Sequence, residues 1–68
     1  MLGIVKFYDG TKGFGFIEPD SGPDVFVHVS ALQAAGIDTL HEGARLQFEV
    51  QQDKRGPRAV NLKIVEWT

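Results

Sequence analysis

The chain has 68 residues, seven Lys and Arg against nine Asp and Glu for a formal net charge of −2, and no cysteine. This length fits one small domain, 1–68, with a marginal hydrophobic core, and without cysteine neither a disulfide framework nor a cysteine zinc site is available to staple it. A net negative charge suits nonspecific grip on duplex DNA poorly, because there phosphate neutralisation dominates. No apolar run approaches the about 20 residues of a membrane helix, and no signal-peptide pattern opens the chain. A complete cytoplasmic protein is therefore expected.

The punctuation divides the chain into short strands. A first strand is predicted over Leu2 to Asp9, ending at the turn dipeptide Asp9-Gly10. In it Ile4, Lys6 and Tyr8 alternate with Val5 and Phe7, so both faces carry apolar groups. This pattern predicts either a bulge or a strand shared by two halves of a sheet. A second strand spans Gly13 to Glu18, and Pro19-Asp20-Ser21-Gly22-Pro23 forces a loop. A third covers Asp24 to Val29. Ser30 with Gln33 three residues on reads as a capping box, so one helical turn is predicted over Ala31 to Ala35, stopping at Gly36. Ile37 to Gly43 is loop. Arg45 to Gln52 alternates Leu46, Phe48 and Val50 against Gln47, Glu49 and Gln51. Asp53 to Pro57 makes a hairpin loop, and Arg58 to Trp67 is the last strand, with Val60, Leu62 and Ile64 inward.

The second and third strands carry the most informative pattern. Phe14 and Phe16 share a face with Lys12 and Glu18, and Phe26 and His28 share theirs with Asp24. The opposite faces hold Gly15 and Ile17, and Val25, Val27 and Val29. A Phe-x-Phe pair is ordinarily half of a core. Turning these rings inward, however, would expose the valine stripe and draw Lys12 and Asp24 toward the interior, where charges are rare unless paired. Gly13 and Gly15 suit a sharply curved strand or a close backbone approach. The rings therefore face water, beside a lysine, as a surface on which bases stack.

Lys12-Gly13-Phe14-Gly15-Phe16 also matches the opening of the ribonucleoprotein octamer. Together with Gly3-Ile4-Val5-Lys6, Asp24-Val25-Phe26-Val27-His28 followed by Ser30-Ala31, Thr39-Leu40 with Glu42-Gly43, and Arg55-Gly56-Pro57, it resembles the bacterial cold-shock proteins in order and spacing, from Gly3 to about Leu62. The resemblance implies an all-β fold, a five-stranded antiparallel Greek-key barrel of the oligonucleotide-binding type, acting on single-stranded RNA and DNA. RNA-recognition motifs share the octamer, but they need two substantial helices and place the octamer after its partner motif; here it comes first and no long helix is available.

Residue roles follow from the resemblance one by one. Phe14, Phe16, Phe26 and His28 match stacking residues. Phe7 stands where the family usually has tryptophan and should still stack, with less area. Lys6 and Lys12 are expected to reach phosphates or base edges, Asp24 a base edge, Arg55 to close the site, and Pro57 to add an apolar contact. Val29 and Ile37 stand where the family typically has phenylalanine, and Asp9 where asparagine is usual, so the flanks of the platform should bind more weakly than its centre. By strict alternation Val29 belongs to the inward valine stripe, but the turn starting at Ser30 interrupts the alternation and favours a place at the platform's edge. Trp67 lies beyond the matched region and is expected to pack the chain end.

The charge distribution agrees with stacking-led binding. Lys54, Arg55, Arg58 and Lys63 stand against the single acid Asp53 near the hairpin, whereas Glu18 to Glu49 holds most of the carboxylates. An enzyme is disfavoured: His28 beside Ser30 lacks a third partner in sequence, and neither metal-ligand spacing nor a Gly-rich phosphate loop with lysine is present. The second alternative is a barrel whose rings bind a peptide. The expected partners are single-stranded RNA and DNA, with no membrane, no small-molecule substrate and no cofactor or metal, and a monomer is favoured. The expected role is that of an RNA chaperone or a regulator of transcription or translation.

Overall fold

The computed structural model describes residues 1–66, so Trp67 lies outside the described residues. In chain order the elements are β1 (Leu2–Asp9), β2 (Phe14–Pro19), β3 (Val25–His28), α1 (Val29–Ala34), β4 (Arg45–Asp53) and β5 (Gly56–Glu66). The strands close into a barrel in the order β1-β2-β3-β5-β4. Neighbouring strands run antiparallel except at the closing contact, where β3 and β5 are parallel and Phe26 stands beside Arg58.

The period-two pattern fills the barrel. Val5, Ile17, Val25, Val27, Leu46, Phe48, Ala59 and Leu62 point inward from the strands, and Leu32, Leu40 and Ala44 join them from α1 and the loop after it. Leu40 is buried although it lies in irregular chain. Loop residues usually run over the surface, so its burial shows that this loop sends a side chain into the core.

Among the described residues, two of the three register slips between paired strands decide which side chains face where. Between β1 and β2, Val5 pairs with Ile17 and the next pair is Phe7 with Phe16, leaving Lys6 as the extra residue on β1. Of the two arrangements the sequence left open for this strand, the bulge is present. In β5 the register slips between the pairs Gln47–Lys63 and Glu49–Val60. Asn61 lies in that interval with φ of 54°, a left-handed conformation that asparagine tolerates better than most residues. This overturns one expectation: Ala59, not Val60, takes the inward place, and Val60 is half-buried, because the extra residue reverses the alternation.

The helix also differs from expectation. It begins at Val29, not Ala31, and its N-cap is His28, not Ser30. Nδ1 of His28 accepts from the Ser30 backbone N–H at 3.1 Å, and Ser30 Oγ lies 3.0 Å from the same nitrogen. The imidazole thus supplies the acceptor that a hydroxyl was expected to provide. Gly36, with φ of 73°, lies just beyond the helix end. The hairpin between β4 and β5 is tighter than expected, a turn at Lys54 and Arg55, so Asp53 and Pro57 belong to strands.

Candidate nucleic-acid interface

β1, β2 and β3 form the outer face that carries the rings. Phe7 pairs with Phe16, Phe16 with Phe26, and Phe14 with His28. Their inward neighbours Ile17, Val25 and Val27 are buried, which pins the opposite face outward. Phe7 and Phe16 are exposed, and Phe14 and Phe26 half-buried. The rings form one connected set. Phe14 lies 6.0 Å from Phe7 and 6.0 Å from Phe26, the latter with planes 21° apart. Phe16 meets Phe14 and Phe26 edge-on at 6.3 and 5.9 Å, and His28 lies 6.4 Å from Phe26. Such edge and offset contacts hold aromatic groups in place while leaving ring faces available.

Glycines make this close packing possible. A Cβ on Gly15 would overlap the Phe7 carbonyl oxygen and lie 2.9 Å from Tyr8 Cα, so β2 approaches β1 here at a distance only glycine allows. Gly13 adopts φ of 75°; its N–H donates to the Asp9 carbonyl at 2.8 Å, and its own carbonyl accepts from the Val29 N–H at 2.9 Å. The turn is secured by the Asp9 carboxylate, which accepts from the backbone N–H groups of Thr11 and Lys12 at 2.9 and 3.1 Å.

Charge lies at the rim. Lys6 Nζ is 2.9 Å from Asp24 Oδ2, an ion pair that ties the β1 bulge to the start of β3. The hydrogen bond and charge of Asp24, with a smaller contribution from Glu18, raise the Lys6 pKa above its ordinary value. Beyond Phe16 and Phe26 the platform falls into a cleft of about 440 Å³, walled on the far side by Arg55, Gly56, Pro57 and Arg58. Arg58 is held by Gln51 Oε1, which accepts from Nη2 at 3.2 Å, and lies 3.9 Å from Asp53 Oδ2.

Residues 1–65 match the family described as the 'Cold-shock' DNA-binding domain. The chain belongs to the cold-shock domain family. It is 52% identical over 66 residues to a cold shock-like protein of Thermotoga maritima, covering 97% of this chain and all of that one. It is 53% identical over 60 residues to the cold shock-like protein CspD of Bacillus cereus (88% of this chain, 91% of the relative). A major cold shock protein of Streptococcus pyogenes is 50% identical over 60 residues, covering 88% of this chain and 90% of the relative. The barrel is accordingly an oligonucleotide-binding fold, and nucleic-acid binding is the activity of its family.

In this cold-shock domain the expected site residues fall into distinct groups. Phe7, Phe14, Phe16, Phe26 and His28 form the connected platform, and Arg55 and Pro57 face it across the cleft. Lys6 and Asp24 are engaged with each other. Lys12 is exposed, in the turn before β2 rather than on the strand. Val29 is half-buried at the start of α1, and a Cβ on Gly13 would lie 3.2 Å from its Cγ1, which places it beside the turn next to Phe14. Ile37 is half-buried and packed against the core. Two roles were missed. The capping role of His28 was hidden because capping rules favour hydroxyl, carboxylate and amide side chains. Arg58 lay within the recognised basic stretch, but its place beside Phe26 arises only when the barrel closes.

Proposed function

We propose that this cold-shock domain, residues 1–68 acting as one unit, binds unpaired RNA and DNA by stacking bases on Phe7, Phe14, Phe16, Phe26 and His28. Arg55 and Pro57 close the far side, and Lys6, Lys12 and Asp24 contact phosphates or base edges at the rim; Val29 and Ile37 mark flanks where bases are held more weakly. The observation that carries this reading is the connected set of five rings on the outer face of a sheet whose inner face is fully used by the core. Every base has a π-face, so such a platform is tolerant of sequence and contributes about 1–3 kcal/mol per stacked base.

The action is binding rather than catalysis. Bases released from intrastrand pairs transfer to the platform, and secondary structure melts by mass action without nucleotide hydrolysis. This suits a cytoplasmic, monomeric RNA chaperone or a regulator of transcription or translation. Titration with a labelled, unstructured pyrimidine oligonucleotide tests the reading. Saturable binding is expected, with duplex of the same sequence binding far less well because its bases are not available to the rings. Preference for the duplex would overturn it.

A further inference from the structure

A second groove, of about 450 Å³, runs between α1 and β5. Its size lies within the about 300–1,000 Å³ of sites that enclose small organic groups. Ala34 and Ala35 form one wall and Val60 the other, while His28, Ser30 and Arg58 line both this groove and the cleft beside the platform. The two therefore adjoin at these residues. The groove owes its openness to the alanine side chains of α1 and to the β5 bulge, which takes Val60 out of the inward stripe.

The junction is suited to one kind of occupant. Phe26 stands beside Arg58 across the closing strand pair, so Arg58 continues the lateral row of Phe7, Phe16 and Phe26 by one more strand. Among the described residues that line the groove, its guanidinium is the one arginine or lysine cation, and none is a carboxylate. Arginine has five N–H donors; Gln51 takes one, Asp53 is a loose partner at 3.9 Å, and the Nε–H is shielded, so the donors left for a ligand are the remaining Nη hydrogens of a side chain 39% exposed. Spare planar donors match phosphate oxygens, and the apolar walls match the face of a base. Asn61 is held by Glu49 on β4, so that acid is already engaged at the groove's outer edge.

We infer that a bound strand does not end at the platform but continues past His28 and Arg58 into the α1–β5 groove. There one further base lies between the alanine wall and Val60, with its phosphate on Arg58. This rests on the stacking reading above and extends it by one site.

The test compares a thymidine tetranucleotide with an octanucleotide, on the parent protein and on Ala34→Glu. Ala34 is exposed on α1, so a glutamate there leaves the core untouched while placing bulk and negative charge in the groove. The tetranucleotide is expected to bind both proteins equally. The octanucleotide is expected to bind Ala34→Glu about tenfold more weakly than the parent, the loss of one base stack. Methyl resonances of Ala34 and Val60 in the parent should move with the octanucleotide and stay in place with the tetranucleotide. If Ala34→Glu gains as much as the parent from the longer strand, or the methyl signals ignore it, the groove carries no nucleotide and the inference falls while platform binding stands. If the parent binds neither strand, the stacking reading itself has failed.

Discussion

Phe7 stands directly across from Phe16 because β1 carries one residue more than β2 between this pair and the Val5–Ile17 pair before it. Strict alternation would have sent Phe7 inward with Val5. The extra residue, Lys6, lets both Lys6 and Phe7 lie exposed, so a single bulge supplies the platform with a ring and a neighbouring cation.

The platform and the core should separate cleanly in mutants. Phe16→Ala and Phe26→Ala are each expected to weaken single-strand binding by about 1–3 kcal/mol with little loss of stability. Val27→Ala, at a fully buried position, should leave the platform in place and cost about 2 kcal/mol of stability through lost methyl burial and a residual cavity. Oligonucleotide titration and chemical denaturation on the three variants check this. Unfolding by Phe26→Ala with a silent Val27→Ala would reverse the faces.

Gly15 is expected to be intolerant of even one methyl group. The added Cβ would meet backbone, at the Phe7 carbonyl and at Tyr8 Cα, and not a flexible side-chain end that can move aside. Gly15→Ala should therefore destabilise the domain by about 3 kcal/mol or more, at the upper end of overpacking effects. A melting temperature unchanged from the parent would show that β1 and β2 can separate without loss.

Asp24 is expected to restrain Lys6. In the parent, binding led by stacking should show a shallow salt dependence, on the order of one to three counterions at about −0.7 each. Asp24→Asn frees the Lys6 ammonium and should steepen the slope of log K against log salt by about 0.7. The same pair gives an alkaline signature. Because pairing raises the Lys6 pKa, its contribution to stability is complete below the ordinary lysine value of about 10.4 and is lost as pH rises through the raised value. Melting across that window should fall further in the parent than in Asp24→Asn; equal losses would mean that the pair is not maintained in solution.

Val29 offers a gain of function. It opens α1 beside the Gly13 turn and is not among the buried core residues. Val29→Phe is expected to tighten binding to a pyrimidine-rich strand by about 1–2 kcal/mol through an added ring, with the melting temperature preserved. A lower melting temperature with unchanged affinity would place this side chain in the core.

Much of this protein was legible where the physics is local. The alternation of Phe14, Phe16, Phe26 and His28 against Gly15, Ile17, Val25 and Val27 decided which face holds rings and which holds the core, because neighbouring residues of a strand must point to opposite sides. The charges sharing the ring face chose its direction, since unpaired charge is excluded from a core. The apolar content of both faces of β1 marked it as irregular, leaving open a bulge or a strand shared by two sheet halves, and the pairing with β2 shows the bulge. What the tertiary structure alone decided concerns residues distant in sequence. The slip at Asn61 that exchanges Val60 for Ala59, the Lys6–Asp24 pair, and Arg58 beside Phe26 each depend on which strand lies opposite and in what register. Register is settled only when all five strands close on one another, and no single segment carries that information.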